Sequence, residues 1–100
     1  MTNYIGNAKE QNHKYDLAIE EIKKMRKIYQ DSIDELDSNI EGVSSVNQLK
    51  KSIQLKIDEL DKKIKDINST KITITKKANS LQRAEDERKR QEKLKQEQEK

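Results

Sequence analysis

From Tyr15 onward the apolar residues of this chain advance alternately by four and three: Tyr15, Ile19, Ile22, Tyr29, Ile33, Leu36, Ile40 and Val43, with Arg26 the one charged member. A step averaging three and a half residues follows the turn of an α-helix, whereas a strand alternates its side chains with a period of two. A second series runs through Val46, Ile53, Ile57, Leu60, Ile64, Ile67, Ile74, Ala78 and Leu81, with Lys50 and Lys71 at the two charged positions. Both stretches read as long amphipathic helices.

The two series are out of phase. Stepping by sevens from Val43 lands on Lys50, while the matching series in the second stretch is Val46, Ile53, Leu60 and Ile67, a shift of three residues. The break coincides with Gly42, a residue able to take the left-handed conformation that ends a helix, and with Ser45 followed three residues later by Gln48, a capping-box start. The phase shift also fits a stammer within one continuous coiled coil. Charge favours the fold-back: residues 8 to 41 carry six basic and nine acidic side chains, and residues 46 to 81 carry nine basic and four acidic ones. Folded antiparallel, Asp34, Glu35 and Asp37 approach Lys50, Lys51 and Lys56, and Arg26 and Lys27 approach Asp58 and Asp61. The expected fold is an all-α, antiparallel, coiled-coil-like two-helix hairpin over residues 1–84. Its helices span about 8–41 and 46–84, with a turn at 42–45 that contains Gly42 and Ser45.

Other architectures lack material. Proline and cysteine are absent and the only glycines are Gly6 and Gly42, so a β-rich fold has almost nothing to turn with and no disulfide framework can form. With no Phe or Trp, 30% hydrophobic and 41% charged residues, a compact globule is not expected. The lead-in 1–7 is polar, with Asn7 as a candidate cap. Residues 68–75, rich in β-branched and cap-forming side chains, lower the helix propensity. Ile67, Ile74 and Leu81 nevertheless keep their spacing of seven, so the helix is expected to continue with a kink or local fraying. Beyond Leu81 only Ala84 and Leu94 are apolar, and residues 85–100 form a charged tail, helical or disordered.

A search for chemistry returns little. His13 is the only histidine, so neither a zinc ligand set nor a nucleophile and base can be assembled within one chain. Asp31, Asp34 and Asp37 share a helix face, but an acidic face that attracts the second arm accounts for them. No catalytic, metal or cofactor residue is expected, and the chain is read as not an enzyme. A net charge of only +3 with interleaved signs argues against nucleic acid, which needs clustered positive charge. No run approaches the length of a membrane span, and the N-terminus lacks the pattern of a Sec-type signal peptide. A cytoplasmic location is expected, with export alongside a partner as the second route.

A partner is physically needed. Two helices meeting along one narrow seam leave part of each apolar stripe in water. Ala18, Met25 and Ile28 flank the first stripe and Leu49 flanks the second, with Leu55 and Ile72 further off. The stripe residues named above and these flanking residues, chiefly Met25, Ile28 and Leu49, form the expected hairpin and partner interface.

A chain of this length with two antiparallel helices, a glycine at the turn and a charged C-terminus resembles the small WXG-type helical proteins of type VII secretion. At the turn, Ile40-Glu41-Gly42 stands where that family has Trp-x-Gly. The family's C-terminal Tyr-x-x-x-Asp/Glu signal is absent, because Tyr4, Tyr15 and Tyr29 all precede the turn and none has an acid four residues on. The chain is more similar to the LXG-associated α-helical partner proteins, which lack an invariant Trp. That resemblance implies a targeting chaperone for the helical domain of a larger secreted effector or toxin, in some cases with a second small helical protein. The alternative reading is a generic coiled-coil scaffold or phage structural protein that forms homo-oligomers.

Overall fold

A computed structural model describes residues 2–39 and 44–98 of the chain. Helix α1 spans Tyr4–Asn39 and α2 spans Ser44–Gln98, with no strand among the described residues. The protein is therefore all-α. Its extents of 86 × 17 × 13 Å are those of two helices lying side by side, the long axis set by α2 at about 82 Å for a rise of 1.5 Å per residue.

The helices run antiparallel in a single register. Asn12 contacts Thr75, Asp16 pairs with Lys71, Arg26 with Asp61, and Asp37 with Lys50. Each advance along α1, by four, ten and eleven residues, is matched by an equal retreat along α2. The core follows the two stripes. Ile57 is completely buried, and Ala8, Ile19, Ile33, Leu60 and Ala78 are nearly so. Tyr15, Ile22, Tyr29, Leu36, Val46, Ile53, Ile64, Ile67 and Ile74 are half-buried, as residues of a two-helix seam must be when no third layer closes its sides. Leu81, placed at the interface by its spacing, is 41% exposed, because the seam thins beside Tyr4 and Ala8 where α1 begins.

Several boundaries differ from the sequence reading. Helix α1 starts four residues earlier than expected, and its cap is Asn3, not Asn7. The Asn3 side-chain oxygen accepts from the Gly6 N–H at 2.9 Å, satisfying one of the N–H groups a helix start leaves unpaired. A Cβ on Gly6 would come within 2.4 to 2.9 Å of the Asn3 side chain, so the glycine leaves room for this cap. Ser45 lies inside α2, which begins at Ser44, and so does not precede the helix as a cap. Ser44, also expected in the turn, opens α2, and Gly42 and Val43, with Ile40 before them, lie outside the described residues.

The weak stretch at 68–75 stays helical. Its threonines return their hydroxyls to the backbone one turn back, Thr70 to the Asp66 carbonyl at 3.0 Å and Thr73 to that of Ser69 at 3.1 Å, and so remain compatible with the helix. Nor does α2 stop at residue 84. It runs to Gln98 on a ladder of i,i+3 and i,i+4 pairs: Gln82 to Asp86, Glu85 to Lys89, Glu87 to Arg90 and Gln91, and Arg88 to Glu92. Such pairs stabilise a solvated helix by about 0.2–0.5 kcal/mol each. Since Tyr4 stands across from residue 83, the last turns of α2 extend roughly 20 Å beyond the hairpin at the usual rise.

Candidate partner-binding surface

Each charged interruption of a stripe is answered by an acid on the opposite helix, one residue after a stripe position. Arg26 interrupts the α1 stripe and meets Asp61, which follows Leu60, with Nε to Oδ1 at 2.7 Å. Lys50 and Lys71 interrupt the α2 stripe, and they meet Asp37, which follows Leu36, and Asp16, which follows Tyr15. The aliphatic stems lie across the seam while the charged heads reach its edge. The hydrogen bond and charge of Asp61 raise the Arg26 pKa above its ordinary value, so Arg26 stays charged at any working pH. These pairs are 25 to 52% exposed, and each contributes on the order of 0–1 kcal/mol.

Their larger effect is on register. Sliding one helix by a heptad keeps apolar against apolar, but it would set Lys71 beside Lys9 or Lys23 in place of Asp16. Arg26 would meet Gln54 or Asn68, and Lys50 would meet Gln30 or pass beyond the last residue of α1. One alignment satisfies all three cations, and its neighbours satisfy none.

Two further polar residues occupy the stripe, and the spacing pattern reaches both once it is extended beyond its apolar members. Three residues before Tyr15 stands Asn12, whose side-chain amide donates to Thr75 Oγ1 at 3.0 Å and to the Lys71 carbonyl at 3.4 Å. Its own Oδ1 is buried without a partner. Four residues after Leu81 stands Glu85, whose side chain is only 15% exposed and has one carboxylate oxygen buried without a partner. The seam thus closes on polar groups at the end remote from the turn.

Of the flanking residues expected to meet a partner, Met25 is 47% exposed, Ile28 65% and Leu49 50%, and Leu55 and Ile72 are more than half exposed. Leu17, which the stripe analysis passed over, is 50% exposed. On α1 they gather: Leu17, Ala18, Met25 and Ile28 lie within twelve residues, on the side of the helix turned from the seam and on its flank. On α2 Leu49, Leu55 and Ile72 stand apart. Asp31 bonds Lys27, Asp34 bonds Gln30 and Asp37 bonds Lys50, so the acidic series is engaged in side-chain pairs. Among the described residues no three acidic or histidine side chains converge as a metal site, and no helix is long and apolar enough to cross a membrane. His13 is exposed.

The fold and surface define a two-helix coiled-coil hairpin with one gathered apolar strip on its outer side. No family model matches the chain, and comparison with curated proteins and solved structures finds no significant match.

Proposed function

We propose that the protein is a non-enzymatic helical partner protein that binds a helical segment of a larger secreted protein and accompanies it to a type VII secretion machine. The observation that carries this reading is the uncovered strip of Leu17, Ala18, Met25 and Ile28 on a hairpin whose seam is already filled. A wet apolar strip on a rod with no third layer is a docking face for another helix. The delivery role rests on the resemblance to the LXG-associated partners.

The test is co-expression with the product of a neighbouring gene that encodes a large protein with a long helical domain. A stable complex on size exclusion, and loss of that product's export on deletion of the hairpin gene, support the role. Met25→Asp and Ile28→Asp should weaken the complex while leaving the hairpin's helicity and melting intact. A hairpin that stays apart from the neighbour, and whose deletion leaves export unchanged, is not its chaperone.

A further inference from the structure

The outward face of α1 carries six residues spaced by three and four: Lys14, Leu17, Glu21, Lys24, Ile28 and Asp31. In chemical character they run cation, apolar, anion, cation, apolar, anion. Read from the other end, the order becomes anion, apolar, cation, anion, apolar, cation, which is the complement of the first at every position. An antiparallel copy of the same helix therefore places Lys14 against the second copy's Asp31, Leu17 against its Ile28, and Glu21 against its Lys24, and the two-fold axis repeats all three.

We propose that two copies of this chain pair through this face of α1, about a two-fold axis between Glu21 and Lys24. The residues are available: Leu17 is 50% and Ile28 65% exposed, the Glu21 and Lys24 side chains are each 73% exposed, and that of Asp31 is 63% exposed. None takes part in the pairs that hold the hairpin. Within one copy Lys24 already bonds Glu21 at 3.2 Å, so the second copy adds the same pair and makes an alternating cluster of four charges on the axis. Along one flank, Ala18 of each copy comes beside Met25 of the other and widens the apolar contact. The complementarity has an end, since beyond the six Glu10 would meet the second copy's Glu35. That bounds the contact at about 26 Å of helix by the rise per residue.

The arrangement is isologous, so it closes at two copies and makes no filament. It rests on the same strip as the docking face proposed above, and a helix from a larger partner would have to displace the second copy.

Sedimentation equilibrium on the full chain tests the pairing, together with oxidative cross-linking, which the absence of native cysteine makes clean. The wild type should be dimeric at about 100 μM, and Lys24→Glu or Glu21→Lys alone should raise the dissociation constant about tenfold or more. The double exchange of both should restore it, because it only reverses the sign of each pair. A mixture of Leu17→Cys and Ile28→Cys chains should cross-link, while either alone should not. Circular dichroism of each variant should be unchanged, since the face is remote from the seam. A monomeric wild type overturns the pairing and leaves the helix-binding role standing. So does a dimer indifferent to the charge reversals, or one in which Leu17→Cys links to itself. A dimer that behaves as described but ignores the neighbouring gene's product removes the chaperone role and keeps the pairing.

Discussion

Ile57 is completely buried, and Leu55, two residues earlier on the same helix, is 63% exposed. Replacing each by alanine separates burial from everything else the helix contributes. Ile57→Ala removes three carbon groups from a fully buried site, a loss of about 2.4 kcal/mol at roughly 0.8 kcal/mol per methylene. Alanine returns about 0.4 kcal/mol of helix propensity. Any cavity term stays small, because the seam is open along both sides and its neighbours can close in. The net expectation is a loss of about 2 kcal/mol for Ile57→Ala and less than about 0.5 kcal/mol for Leu55→Ala. With a urea dependence of about 1–1.5 kcal/mol per molar for a protein this small, the midpoint for Ile57→Ala should fall by more than 1 M and that for Leu55→Ala should hardly move. Denaturation is followed by ellipticity at 222 nm, with cooperativity checked first. Equal midpoints for the two variants would refute the seam as the source of stability and leave α2 stable on its own.

The cross-arm charges are tested by exchange: Lys71→Asp alone should destabilise by about 1 kcal/mol through repulsion from Asp16. Adding Asp16→Lys should recover most of that, and the coupling should shrink in high salt. Asn12→Ile should raise stability by about 1 kcal/mol or more, because it removes a buried unpartnered amide oxygen and adds apolar contact to the seam. An unchanged or lower urea midpoint would mean that the Thr75 hydrogen bond outweighs that loss. Truncation after residue 85 should leave the unfolding free energy within about 0.5 kcal/mol of that of the full chain while lowering helical ellipticity by the share of the removed turns. A large loss of stability would show that the overhang packs on the hairpin. Spin labels at Gln11 and Lys76, which the register sets side by side, should lie within about 20 Å, against roughly 100 Å for one continuous helix at 1.5 Å per residue.

The helical character of both arms and their fold-back were legible in the sequence. The four-three spacing dictated two helices, the phase break at residues 43 to 46 separated them, and the opposed charges of the arms chose a fold-back, because period and charge are properties of neighbours along the chain. The pairs Arg26 to Asp61 and Lys50 to Asp37 were legible for the same reason: near a turn, the register follows from counting. Lys71 to Asp16, far from the turn, was not. Neither were the polar stripe members Asn12 and Glu85, whose position is visible in the spacing but whose burial exists only once the other helix is in place. Asn3 displaced Asn7 as the cap because the side-chain oxygen that meets the first free N–H groups sets where a helix begins, and the pattern of apolar residues does not reach that far. The spacing already set Ile57 on a stripe and Ile28 beside one. Tertiary structure alone decided how far each stripe member is enclosed: Ile57, in the middle of the seam, is completely buried, whereas Leu81, where the facing helix begins, is left 41% exposed.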